Sequence, residues 1–390
     1  MADKEKKTER IEVVDALRGI ALFAIIILHS CEHYNLYYKS QDSLSWLAAI
    51  DKGITDMTWF MLAGKAFSIF SFLFGLSFFI QLDNAAKRGI PFRGRFVWRM
   101  FLLVAFSQLH SLFYNGDILL LYAILGIFLV SMSRCSTRTV LITASIFILQ
   151  PVEWIRVICA ILQLNFPEYG NHWFTFFELT QPVLVSGSFS EVLCSNITHG
   201  QLYGNLWQIE NGRISQIGGL FLFGMVAGRI ALFKNTRESI AIWKRITLWA
   251  ALLFIPFYTI RMIYPSIAAG NNSLLMPLNI AIPSICNFLF AAMLTGFFVL
   301  LWYDKGNGYY IQRLFIPFGK MSLTNYIVQS IIGVCIFYGF GGGLYKCGAT
   351  ACWLIGILVF AILLLFSNLW LSKHKHGPLE WIWKKLTWIK

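Results

Sequence analysis

Apolar stretches close to the length needed to cross about 30 Å of hydrocarbon recur along the whole of this 390-residue chain. They fall at 13–32, 56–82, 96–114, 117–132, 139–162, 213–233, 245–265, 276–302, 318–340 and 350–372. The fold expected is all-α: a polytopic helical membrane protein with about ten transmembrane helices, built as a single transmembrane domain over 1–390. Composition agrees. The chain is 57% hydrophobic and only 13% charged, whereas soluble domains carry about 25% charged residues. No soluble core absorbs that much apolar sequence, so lipid must be the solvent for much of the surface.

Lysine and arginine set the expected orientation, because short cytoplasmic loops of membrane proteins collect positive charge. With the N-terminus inside, the segments 4–10, 87–99, 134–138, 234–245, 305–320 and 373–390 are all cytoplasmic and hold 23 of the 32 basic residues. The outer loops hold Lys39, Lys52 and Lys346. Both termini are therefore expected in the cytoplasm. The net charge of +13 reads as an orientation and lipid-surface signal, and nucleic acid is excluded as a partner. The segment 163–212 is expected as a long extracytoplasmic loop, with room for interfacial helices and a lid. The eight cysteines form no CxxC and no cluster at metal-ligand spacing, so no metal is expected. A disulfide among Cys194, Cys347 and Cys352 is left open. The first apolar stretch holds Asp15 and Arg18 and lacks a small-residue cleavage site, so no cleavable signal peptide is expected.

Ionisable residues inside spans are costly, which makes them candidates for function. The first span holds Arg18 and, eleven residues on, His29. Eleven residues is close to three turns, or about 16 Å, so both point to one face. A guanidinium near the cytoplasm suits an anionic donor, and an imidazole near the outside suits proton transfer. The competing structural reading pairs Arg18 with Asp15 or Glu12. The third and fourth stretches are joined by Tyr114-Asn115-Gly116-Asp117, a turn signal that predicts a helical hairpin. Asp117 reads either as a helix cap or as the partner of His110. The second span carries Lys65 beside the small-residue pairs Gly64/Ser68 and Ser71/Gly75, which favour close helix packing. The ninth carries Ser322, Asn325, Tyr326, Gln329 and Ser330 at helical spacing, a stripe suited to a cavity wall or to a hydrogen-bonded helix interface. Pro151 predicts a kink in the fifth.

Five ordered motifs resemble the YeiB-like family, a bacterial family catalogued as domain of unknown function 418. They are Asp15-Ala-Leu-Arg-Gly19, the Lys65–Gly75 run, Gly116-Asp117-Ile-Leu, Gly319-Lys-Met-Ser-Leu-Thr-Asn325-Tyr and Gly377-Pro-Leu-Glu-Trp381. More loosely, Leu17-Arg18-Gly19 followed by His29 resembles the first helix of membrane acyltransferase-3 proteins. It is also similar to the opening of the heparan-glucosaminide N-acetyltransferases. That resemblance implies transfer of an acyl group, acetyl foremost, from cytoplasmic acyl-CoA to a glycan or small-molecule acceptor across the membrane. Arg18 and Lys65 would bind the donor, and Asn325 and Gln329 the substrate. His29, His110 and Asp117 would serve catalysis. The family more regularly keeps a histidine at the His110 position, so His29 and His110 stand as rival bases. A transporter is the alternative reading. The bilayer is the partner expected throughout, in the bacterial cytoplasmic membrane, and a homodimer is compatible with the sequence. Arg18, His29, Lys65, His110 and Asp117 are expected to line one polar cavity, with Asn325 or Gln329 nearby.

Overall fold

The computed structural model describes residues 11–37, 45–164 and 170–388. The basic segment 4–10, Lys39 and Glu168 lie outside the described residues. Among the described residues the chain is all-helical, with no strand. The helices are α1 (Glu12–Cys31), α2 (Ser45–Met61), α3 (Ala66–Ala86), α4 (Phe92–Ser111), α5 (Leu119–Met132), α6 (Thr137–Ile148), α7 (Pro151–Ile161), α8 (His172–Ser186), α9 (Phe189–Ser195), α10 (Gln201–Glu210), α11 (Arg213–Arg229), α12 (Arg237–Ile267), α13 (Asn272–Asp304), α14 (Asn307–Arg313), α15 (Ile316–Lys320), α16 (Ser322–Phe337), α17 (Ala349–Lys373) and α18 (Pro378–Thr387).

Five helical stretches are long and apolar enough to cross a bilayer: α1, the run Trp46–Ala86, α12, α13 and α17. Counting each of two bent pairs as one span raises the number to seven. Three expected stretches fall short of that test for visible reasons. α4 carries Arg93, Arg95 and Arg99 in its first two turns. α5 has 14 residues and α11 has 17, lengths of about 21 Å and 25 Å. Several of the long helices turn apolar side chains outward. α12 is the extreme case, with 6% of its most apolar window buried and Leu248, Trp249, Ile255 and Met262 exposed. Such surface is tolerable against lipid and costly against water, which marks a membrane protein.

Two bends shape the interior. The first pair, α6 and α7, meets at 47°. The kink falls at the expected proline: Gln150 takes a left-handed φ of 56° and Pro151 opens α7, because the proline ring has no N–H to continue the ladder. The second corrects an expectation. The stretch 318–340 is not one straight span: Gly308–Lys320 and α16 meet at 82°. The new helix start is capped from a distance. Glu380 of α18 accepts hydrogen bonds from the Leu323 N–H (2.7 Å), the Thr324 N–H (3.0 Å) and the Thr324 hydroxyl (2.6 Å).

Glycine allows two helix pairs to touch backbone to backbone. A Cβ on Gly75 of α3 would overlap the Phe221 carbonyl of α11, and one on Gly224 of α11 would overlap that of Phe72. Gly19 of α1 and Gly319 of α15 are related in the same way: their Cβ atoms would strike the carbonyls of Phe315 and Asp15. In lipid, where apolar burial gives helices little reason to associate, such close approach supplies the van der Waals contact that holds them. The motifs around Arg18 and Lys320 are thereby fixed against each other.

Candidate functional site

The expected groups do not share one cavity: Arg18 lines one and His29 another, while His110, Asp117, Lys65, Asn325 and Gln329 line neither. The first, about 230 Å³, is lined by Arg18, Ser77, Gln81, Arg99, Lys320 and Glu380 among apolar neighbours. Arg18 donates to Asp15 at 2.7 Å and to the Ser77 hydroxyl, so the pairing weighed from sequence forms and still leaves the guanidinium on the cavity wall. Arg99 lies over the Trp383 ring at 3.7 Å. Three basic residues therefore surround one small space at the α1–α15 contact.

The second cavity, about 540 Å³, is lined by His29 of α1, by Glu32, His33 and Tyr37 just after it, and by Phe67 of α3. Trp173 and Phe177 of α8, Tyr203, Trp207 and Gln208 of α10, and Arg213 of α11 complete it. The segment expected as a long outer loop thus forms helices that wall this cavity with aromatic rings. His29 Nδ1 sits 3.4 Å from both the Tyr34 hydroxyl and Gln329 Nε2, and Tyr34 donates to Gln329 Oε1 at 2.8 Å. Gln329 therefore orients the His29 ring. His33 packs edge-on to His29 at 5.2 Å. Burial holds the His33 pKa below the ordinary 6.5, with Glu32 pulling it up and Arg213 pushing it further down, so its surroundings favour the neutral ring.

One residue belongs to both linings. Tyr326 of α16 stands between the two cavities, and its ring meets that of His110 at 5.2 Å. Behind it lies a buried dyad. His110 Nδ1 is 2.8 Å from Asp117 Oδ1, and the other carboxylate oxygen accepts from Ser107. The capping reading of Asp117 is corrected: α5 starts at Leu119 with no side-chain cap, and the carboxylate serves His110. With Nδ1–H donated to Asp117, Nε2 carries the free lone pair. That atom is buried and has no partner among the described residues. The dyad sits one layer behind the second cavity, because Gly116 and Ile118, flanking Asp117, line it.

Two expected site residues lie elsewhere. Lys65 falls at the break between α2 and α3. Its ammonium stands 5.9 Å and 5.6 Å from the Phe60 and Phe290 ring centroids and 3.4 Å from the Trp59 carbonyl, and it lines neither cavity. Asn325 is buried and donates to the Phe318 carbonyl at 3.1 Å and the Ser367 hydroxyl at 2.9 Å. It ties α16 to α15 and α17. Arg99, Glu380 and the α8 and α10 aromatics are site residues that spacing alone did not single out, whereas Tyr326 belongs to the α16 stripe that helical spacing had marked as a cavity wall. Among the described residues no group of three His, Cys, Asp or Glu converges as metal ligands.

Comparison with known proteins follows the same motifs. A family model described as "Protein of unknown function (DUF418)" matches residues 227–390. Over nearly the whole chain the sequence is similar to the uncharacterized protein YxaH of Bacillus subtilis (strain 168), 28% identical over 98% of this chain and 95% of that protein. It is 26% identical to the uncharacterized protein YeiB of Escherichia coli (strain K12), over 97% and 96%. These matches support a YeiB-like DUF418 family assignment. An uncharacterized 39.9 kDa protein of Bacillus acidopullulyticus, encoded 3' of an amylase, is 23% identical over 97% and 94%. The DUF418 match covers α12–α18 and so takes in Tyr326, Gln329 and Glu380. The similarity to YxaH and YeiB extends over the helices that carry Arg18, His29 and the His110–Asp117 dyad.

Proposed function

We propose that this YeiB-like chain is a membrane-embedded acyltransferase that takes an acyl group, acetyl foremost, from cytoplasmic acyl-CoA. The acceptor is a glycan or another extracytoplasmic or membrane-associated molecule. The observation that carries the reading is the pair of unlike cavities meeting at Tyr326. One is small and basic, suited to an anionic donor. The other is larger, aromatic and imidazole-lined, suited to stacking a ring-shaped acceptor. The chain is read as a single transmembrane domain of ten spans in the bacterial cytoplasmic membrane, with both termini inside. The loop charges support this, and so does the presence of helix at each of the ten apolar stretches. Helices α8 and α10 then cover the second cavity from outside.

In this scheme Arg18, Arg99 and Lys320 draw the donor's phosphates to the cytoplasmic cavity. Its thioester end reaches Tyr326. His29 donates to and orients the acceptor, held in place by Gln329. His110 Nε2 takes the proton of the acceptor hydroxyl or amine as that atom attacks the thioester carbonyl. Asp117 stabilises the resulting imidazolium. The C–S bond breaks and CoA leaves as the thiol once it regains a proton. Lys65 and Asn325 hold helices together and take no part.

The test is protein in nanodiscs with radiolabelled acetyl-CoA. Saturable binding and acyl transfer or hydrolysis are expected. His110→Ala should keep binding and lose turnover about 10²–10⁴-fold. No binding and no turnover, or unimpaired turnover in a His29→Ala, His110→Ala double variant, would overturn the reading. One observation favours a second reading: two cavities that share Tyr326 as a wall also describe a transporter with its path closed. Uptake or efflux of a solute by proteoliposomes without acyl transfer would select it.

A further inference from the structure

α18 presents two different faces. Glu380, Trp383 and Thr387, at i, i+3 and i+7, turn inward: Glu380 caps α16, Trp383 donates to the Arg99 carbonyl at 3.0 Å, and Thr387 is buried. Trp381, Lys384, Lys385 and Trp388 turn outward, and the two tryptophans are 54% and 39% exposed. They line a groove of about 1320 Å³ between the end of α17, residues 374–378 and α18, with Arg88 on its far side. Every charged residue on its lining is basic. Lys373, Lys375, Lys384, Lys385 and Arg88 converge there, and among the described residues no Asp or Glu lines it.

The place of the groove in the fold decides its occupant. α17 is the most apolar candidate span, with mean hydropathy 2.7, and it ends at Lys373. The groove therefore opens where the hydrocarbon ends, at the level of the lipid headgroups. Two of its aromatic rings are already set against cations, Lys385 over Trp381 at 5.1 Å and Arg95 over Trp388 at 4.6 Å, and His374 stacks on Trp370 at 4.1 Å. Indole rings sit at the interface with one end in the acyl boundary and the other in water. Lysines at that depth reach up to phosphate. Five cations with no carboxylate among them repel one another until an anion arrives.

We propose that this groove is a binding site for the headgroup of an anionic phospholipid in the leaflet that this end of α17 reaches. The phosphate would lie among the four lysines and the acyl chains against Trp381 and Ile382. A basic residue near an anionic surface adds about fivefold to affinity, so the four lysines together add several-hundredfold.

The test is the purified full-length chain in neutral detergent, with phosphatidylglycerol, phosphatidylcholine or inorganic pyrophosphate added. Phosphatidylglycerol should raise the melting temperature and remain bound in native mass spectrometry, while the other two do neither. The variant K373Q/K375Q/K384Q/K385Q should lose both effects. All four lysines are exposed, so this variant removes no core contact, and its melting temperature without lipid checks that it folds. The control R134Q/R138Q, which removes basic charge from another turn, should retain both effects. Equal stabilisation by phosphatidylcholine, or retention of the effect in the quadruple variant, overturns the site. Equal stabilisation by pyrophosphate also overturns it, in favour of a soluble phosphate ligand.

Discussion

Glu380→Ala should loosen the start of α16 by an amount the structure allows one to work out. The carboxylate receives two backbone N–H groups and one hydroxyl, from Leu323 and Thr324, at 2.6–3.0 Å. Losing a helix cap costs about 0.5–2 kcal/mol, and a hydrogen bond to a charged group contributes about 1.5–3 kcal/mol. The bonds share one carboxylate on a partly exposed residue and do not add fully, so a total of about 2–3 kcal/mol is reasonable. Glu380 lies beyond an 82° bend, and no local carboxylate stands ready to replace it. Local opening at that helix start is read by amide hydrogen exchange. With tenfold for each 1.4 kcal/mol, the amides of residues 323–325 should exchange about 30- to 150-fold faster in detergent or nanodiscs, while α17 keeps its protection. Glu380→Gln keeps an acceptor oxygen and loses the charge, so a smaller change of about fivefold is expected, near 1 kcal/mol. Unchanged exchange at 323–325 in the alanine variant would refute the assignment of this carboxylate as the cap.

Asp117→Asn should leave acyl-CoA binding intact and lower turnover at least 10²-fold, because the amide no longer fixes Nδ1–H and frees Nε2 of His110. Nitrogen NMR of labelled histidine reads the same tautomer change without any activity assay. Gly75→Leu should prevent stable folding, since its side chain would enter the Phe221 backbone, whereas Gly53→Leu meets nothing within 4 Å and should be tolerated; detergent-extracted yield and melting temperature separate them. A reporter fused after Lys390 should report the cytoplasm, and one inserted at Gly187 the outside.

The helical, membrane-spanning character was legible because apolar length and charge placement are properties of sequence alone. So were the kink at Pro151 and the hairpin at residues 114–117, whose signals are local. The bend at Met321 was not. Its break is stabilised by Glu380, more than fifty residues later, and no local pattern encodes a cap delivered from another helix. Helical spacing correctly put Arg18 and His29 on one helix but could not show that a tyrosine ring closes the space between them. Lys65 read as a cation that would bind the anionic donor. The structure surrounds it instead with aromatic faces, contributed in part by Phe290 of α13, and sequence spacing does not reveal such distant rings. Asp117 read either as a cap, because it precedes a helix, or as the partner of His110, and the structure gives the carboxylate to His110 across the hairpin.

The glycine contact between α1 and α15 also has a consequence for how the protein is made. Partners of the first helix lie some 300 residues downstream, as Gln329 does from His29. At about 5–20 residues per second, roughly 15–60 s of synthesis pass before α15 exists. Through that interval α1 resides in or beside the insertion machinery with its Gly19 face still without α15. The Asp15–Arg18 bridge, three residues apart and formed within one helix, is the contact available from the outset. It neutralises the charge of the first span early, long before the rest of the chain arrives to enclose it.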